Sequence, residues 1–293
     1  MKDNIFSKNF LSYINSLTIN APKMISKKQI IGEHQVRNIG DNDDFYDYRS
    51  YNSGDDLRHI DWNIFRRHKK LFVKRFHKQQ HLKVKVIIDN SQSLYFEEER
   101  IKCALKMAAS LCLAAKNSKF DIQVITLTGN FKFTVSHSNR FSLNKIISEL
   151  PKILNLKSSK IKNIKLNLRP DADIIFFISD FYRFRNLANT LKTFNNSKVP
   201  IIPVRIYRKH DQEPNINGNL ELTDCNYQDT TQVAIDNKLI TLYKQAYKKF
   251  EENIATYCKN RYIPIFAINA DNVLCPQLSF NFVNGCLDLQ QIK

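Results

Sequence analysis

From residue 83 onward the chain alternates between short, almost wholly apolar runs and longer stretches of helical periodicity, and few folds accept that pattern. The apolar runs are KVKVIID (83–89), ADIIFFIS (172–179), VPIIPVRIY (199–207) and IPIFAI (263–268). Runs this short and this apolar are strands buried on both faces. Between them, Ile101, Ala104, Leu105, Ala108, Leu111, Cys112 and Ala115 recur at 3-4 spacing, behind three glutamates that complement a helix N-terminus. Leu239, Leu242, Ala246, Phe250 and Ile254 repeat the pattern over residues 238–260, and FRNLANTLKTF (184–194) is a shorter helical segment. DIQVITL and FKFTV, separated by Thr128, Gly129 and Asn130, predict a hairpin. SLNKIISELPKIL predicts a helix interrupted near Pro151. Strand and helix in alternation imply an α/β fold with a mostly parallel central sheet covered on both faces. ADIIFFIS, the most apolar run, is expected at its centre. VPIIPVRIY, with two prolines, is expected toward an edge.

Two segments precede this domain. Residues 1–30 read as an N-terminal arm, with Phe6, Phe10, Leu11, Ile14 and Leu17 near helical spacing and placed to cover part of the domain. Residues 31–82 are polar, rich in Asp, Arg, His and aromatics, and carry short strand-like runs such as LFVKRF. They predict a small β-rich segment, leaving 83–293 as the α/β domain.

Composition removes several classes. Six glycines and no glycine-rich phosphate loop argue against a kinase or ATPase. Cys103, Cys112, Cys225, Cys258, Cys275 and Cys286 are scattered without a close pair, which argues against a zinc site and for reduced thiols. No apolar run approaches a membrane span, and the N-terminus lacks a secretory leader, so the expectation is a soluble, cytoplasmic protein. A net charge of +17 suggests an acidic partner, nucleic acid among them, but the basic residues are spread along the whole chain.

The candidate chemistry sits at strand ends. Asp89, Ser91 and Ser93 follow the first buried strand at i, i+2, i+4, and Asp180 follows a later one. In such sheets ligands bind at the carboxyl ends of strands, near the switch in strand order. If the two strands are neighbours, both carboxylates converge on one point. Two carboxylates and two hydroxyls form an oxygen-only shell suited to a hard divalent cation, with Mg²⁺ expected and Mn²⁺ or Ca²⁺ as alternatives. Ser158 and Ser159 are the hydroxyls available for a fifth ligand. The structural alternative is that these residues merely cap the following helix.

A second constellation spans residues 40–70. Gly54, Asp55 and Asp56 form a turn, Arg58 and Asp61 are placed to pair, Trp62 can anchor the loop, and Arg49 is near enough to pair with an aspartate. This is either a salt-bridged structural segment or a partner surface. His34, His59 and His68 fit no tight metal pattern. Across residues 65–83 basic residues interleave with Phe65, Phe72 and Phe76, which suits either a half-buried strand or a nucleic-acid surface.

These residues resemble the bacterial domain-of-unknown-function family 58, the MoxR-associated proteins with a von Willebrand factor A-like domain. The matching elements are Gly32-Glu33-His34, Gly40, Asp44-Phe45, Arg49, Tyr51, Gly54-Asp55-Asp56, Arg58, Asp61-Trp62 and Arg67, then the DxSxS at Asp89, Ser91 and Ser93. The resemblance implies a Rossmann-like von Willebrand A-type domain with a metal-ion-dependent adhesion site. It also implies partnership with a MoxR-type AAA+ ATPase in protein maturation or complex assembly, without catalytic activity. The chain departs from the family pattern at Asp41 and Asn42, at Leu94 after DxSxS, and in lacking a Gly-Gly-Thr that would supply a threonine ligand.

The expected function is therefore a non-enzymatic, metal-dependent protein-interaction module, whose cation a partner's carboxylate completes. A basic nucleic-acid-binding protein is the alternative, and a metal-dependent hydrolase the third reading.

Overall fold

The computed structural model describes residues 5–15, 17, 39–77, 82–136, 143–156, 172–182, 199, 201–225, 229–260 and 265–271. The chain divides into two compact units, one of residues 26–81 and one of residues 1–25 with 82–293. Ser158, Ser159, His34, Cys275, Cys286 and the helix expected over 184–194 lie outside the described residues.

In the unit of residues 26–81, strand β1 (Ile39–Ser50) pairs antiparallel with β2 (Phe72–His77), with irregular register near Phe45. The connection turns at Gly54, whose φ of +105° suits a residue without Cβ. The Arg49 guanidinium holds Asp55 across that turn at 2.6 Å. Helix α2 (Trp62–His68) is capped by Asp61. The Asp61 carboxylate accepts from the Asn63 and Ile64 N–H groups at 2.8 and 3.1 Å, satisfying two donors a helix start leaves open.

Two local expectations are corrected here. Arg58 pairs with Asp56 at 2.6 Å and not with Asp61. Asp61 is turned into the helix start, where Tyr48 OH (3.1 Å) and Lys74 Nζ (3.2 Å) also reach it. Trp62 does not anchor the loop, because it is 55% exposed. Ile60 and Val73, bridged to each other and both buried, do so instead.

In the other unit a six-stranded sheet runs in the order β10-β7-β6-β3-β4-β5. Its strands are β3 (Lys83–Ile88), β4 (Asp121–Thr126), β5 (Lys132–Val135), β6 (Ile174–Ser179), β7 (Ile201–Tyr207) and β10 (Phe266–Asn269). All neighbours pair parallel except β4 and β5, which form the expected antiparallel hairpin. Counted from β3, the order is 3-2-1-4-5-6, with the switch between β3 and β6.

The apolar runs alternate between faces. Val84, Val86, Ile88, Ile174, Phe176, Ile178, Ile202, Val204 and Ile206 line one face, under helix α4 (Glu98–Asn117). Helix α1 (Lys8–Ile14) packs on α4, so Phe6, Phe10, Ile14 and Leu17 are buried in the same core. This explains why α4 is buried well beyond its 3-4 stripe. Ile87, Ile175, Phe177 and Ile201 line the other face with Ile254, Tyr257 and Cys258 of helix α7 (Asn237–Lys259).

Strand β7 lies toward an edge, where its prolines were expected, with β10 outside it. The β10 ladder begins only at Val204, so Pro203 has no partner on that side whose hydrogen bond it would break. Pro151 ends helix α5 (Leu143–Glu149) in a 3₁₀ turn over Leu150–Asn155. A ribbon that the sequence pattern had left unassigned, β8 (Gly218–Thr223) with β9 (Thr230–Ile235), projects between β7 and α7 with nearly every residue exposed. No helix among the described residues is long and apolar enough to cross a membrane.

Candidate functional site: strand-end carboxylates and hydroxyls

Asp89 and Asp180 follow β3 and β6, which are adjacent parallel strands with Ile88 opposite Ile178. The Asp89 N–H donates to the Ile178 carbonyl at 2.8 Å, extending the ladder to the carboxylates. The topology places both at the switch point. Asp89, Ser91 and Asp180 are fully buried and Ser93 nearly so.

Asp89 is held by its neighbours. Its Oδ1 accepts from the Ser91 N–H at 2.9 Å, and its Oδ2 accepts from the Ser179 hydroxyl at 2.8 Å. Ser91 stands at the N-cap position of the short helix α3 (Gln92–Phe96), yet its side chain makes no capping bond. Its Oγ lies 3.1 Å from Ser93 Oγ instead. The capping explanation for Ser91 therefore fails, and the two hydroxyls lie together beside the carboxylates.

Asp180 accepts from the Tyr182 N–H through Oδ1 at 3.0 Å, while its buried Oδ2 makes no hydrogen bond. Burial, and then the Asp89 carboxylate, push Asp180 up to about 7, against opposing effects of the Ser93 hydroxyl, the Tyr182 N–H and Arg100. Next in the chain, Phe181 is buried at a φ of +65°, a conformation that costs a side-chain-bearing residue about 1 kcal/mol. Its ring meets Phe177 edge-on at 5.5 Å, which holds the backbone turn that aims Asp180.

Residues that sequence reasoning missed complete the surroundings. Ser179 joins the Asp89 carboxylate to the Phe181 N–H, to which its Oγ is an acceptor at 2.9 Å. Asn90 exchanges hydrogen bonds with Thr128, tying the loop after β3 to the β4–β5 turn. Arg100, in the first turn of α4, is 6% exposed, and its Nη1 lies 3.9 Å from Asp180 Oδ2. The overlooked signal for Arg100 was its position four residues before Ala104, on the face of α4 that the apolar stripe marks as buried. Cys225, just after β8, feels the charges of Asp180 and Arg100. Its thiol is raised, mainly by burial.

Among the described residues, no three His, Cys, Asp or Glu side chains form a group that could hold a metal ion. Any cation here would depend on two carboxylates and hydroxyls. The residues present fit a hard divalent cation on three counts. The donors are all oxygens, two carboxyl groups are buried at adjacent strand ends, and Asp180 Oδ2 has no hydrogen-bond partner. The Asp89 oxygens accept from the Ser91 N–H and the Ser179 hydroxyl, and a carboxylate offers about four lone-pair sites in all.

Fold and site together define an α/β domain of Rossmann strand order with a buried carboxylate–hydroxyl cluster at its switch point. Residues 47–253 match the family model described as "Protein of unknown function DUF58", and the chain belongs to that family. No curated protein matches the chain. Two solved structures are similar at low scores. The conserved hypothetical protein BatB from Bacteroides thetaiotaomicron has 10% identity and a TM-score of 0.33, with 64% of this chain and 90% of that one covered. An aerotolerance-related membrane protein from Bacteroides fragilis NCTC 9343, with multiple mutations to serines, has 15% identity and a TM-score of 0.32, covering 66% and 93%.

Proposed function

We propose that this protein is a non-enzymatic interaction module of von Willebrand A type, that Asp89, Ser91, Ser93 and Asp180 hold a divalent cation, and that its partner is a MoxR-type AAA+ ATPase. The observation that carries the metal reading is the pair of fully buried aspartates at adjacent strand ends, one of which keeps an oxygen without a hydrogen bond. Two carboxylates in such a place repel each other, and burial penalises both charges. A bound cation supplies the compensating charge and an open coordination position for a partner's carboxylate. The chain's own groups pre-orient the site. The Ser91 N–H and Ser179 hydroxyl fix the Asp89 carboxylate, the Tyr182 N–H fixes Asp180, and the Ser91 and Ser93 hydroxyls lie together. The ATPase partner rests on the resemblance carried by residues 32–67 and the DxSxS.

The test is capture of the ATPase by the full chain in Mg²⁺, in excess chelator, and as Asp89→Ala in Mg²⁺. Capture is expected in the first condition and lost in the other two, with the variant's circular dichroism unchanged. Equal capture in all three would refute a metal-dependent interface. A nucleic-acid binder would behave differently, with affinity that ignores chelator and falls steeply with salt.

A further inference from the structure

Arg100 is the only basic side chain within 4.0 Å of Asp180 among the described residues. It is shared among three carboxylates. Its Nη2 lies 2.5 Å from Asp211 Oδ1 and its Nε 2.8 Å from Glu97 Oε2, while Nη1 reaches Asp180 Oδ2 only at 3.9 Å. The guanidinium also lies over the Tyr182 ring at 5.5 Å. Asp211 belongs to the short helix α6 (Lys209–Gln212), where it accepts from the Arg208 N–H at 2.8 Å. The Asp211 carbonyl accepts from Tyr243 OH of α7, also at 2.8 Å. Arg208 in turn grips Asp271, just after β10, at 2.6 Å. One buried cation thus connects the end of β6 to α4, α6 and α7.

We propose, on the cation reading above, that Arg100 is a positioning residue that acts as the internal counter-cation of Asp180 and sets the affinity of the site for a divalent ion. The geometry gives Arg100 two close partners besides Asp180. It can therefore release Asp180 without becoming an unpaired buried charge, which would otherwise be costly. A cation arriving at Asp180 is repelled by the guanidinium, and the repulsion drives Arg100 more fully onto Asp211. Site occupancy is thereby reported at α6 and Tyr243, through bonds that already exist.

The experiment measures Mn²⁺ affinity by calorimetry on the full chain, with hydrogen exchange of residues 208–213 as a readout independent of affinity. Arg100→Gln removes the competing charge and should tighten Mn²⁺ binding about ten-fold or more, as close charge pairs in a buried site do. Arg100→Lys keeps the charge and should stay near the parent. Asp211→Asn loosens the grip that draws Arg100 away and should weaken binding several-fold, an effect that disappears in the Arg100→Gln background. In the parent, Mn²⁺ should slow exchange at 208–213, and in Arg100→Gln it should not. A merely structural Arg100 would make every variant bind more weakly. Parent binding with no tightening in Arg100→Gln therefore overturns the inference and leaves the cation reading standing. Should Arg100→Gln fail to fold, unaltered Mn²⁺ affinity in Asp211→Asn overturns it instead. Parent protein that takes up no Mn²⁺ overturns both.

Discussion

Replacing Asp180 by asparagine should make the metal-stripped protein more stable, and the gain should grow with pH. An aspartate usually loses its proton near 3.8, and Asp180 is pushed up to about 7 by burial and by Asp89. Below 3.8 both folded and unfolded chains hold the proton, and the site costs nothing. As pH rises from there to about 7 the unfolded chain releases the proton while the folded chain keeps it, so folding stability falls. Above 7 the full penalty is present. At ~1.4 kcal/mol per pH unit the interval from 3.8 to about 7 corresponds to about 4 kcal/mol. Relaxation around the buried charges reduces this, so the expected gain at pH 8 is roughly 2–4 kcal/mol. At pH 5 the same reasoning leaves about 1–2 kcal/mol. The asparagine oxygen can still accept from the Tyr182 N–H, so the substitution removes charge with little change of shape. Urea unfolding of both proteins at pH 5, 6.5 and 8 in the absence of divalent ions measures the difference directly. Asp180→Asn no more stable than the parent at pH 8, or a gap that does not shrink toward pH 5, would show that the carboxylate is not held against its own charge.

Two further substitutions test the architecture. Asp61→Ala removes the cap of α2 together with the partner of Tyr48 and Lys74, and should cost about 1–2 kcal/mol, read as faster hydrogen exchange at the amides of residues 62–68. Phe177→Ala empties a fully buried position on a central strand and removes the ring that supports Phe181, and should cost about 3–5 kcal/mol in global urea unfolding.

The sheet and its main helices were legible in the sequence because burial on both faces writes continuous apolar runs, and burial of a helix face writes a 3-4 stripe. Asp89 and Asp180 could be marked as strand-end carboxylates for the same reason. That they share one site depends on β3 and β6 being neighbours, which is a property of strand order and not of local pattern. The buried stripe of α4 could mark Arg100 as an interior cation, but not its partners, because Asp180 and Asp211 come from segments far along the chain. The β8–β9 ribbon escaped notice because its exposed strands have no buried face to impose a strong alternation. The Arg58–Asp61 pairing failed because Asp61 had a stronger local option, the open N–H groups of the helix that it begins.

The placement of β3 beside β6 also governs when the site can exist during synthesis. The half carrying Asp89 leaves the ribosome before Asp180, and the chain between them must be made before the central parallel pair can close. Pairings this distant in sequence form late. A nascent or truncated chain ending ahead of β6 has Asp89 without Asp180, so the paired carboxylates are absent. The assembled carboxylate pair is in this way a certificate that β3 and β6 have come together.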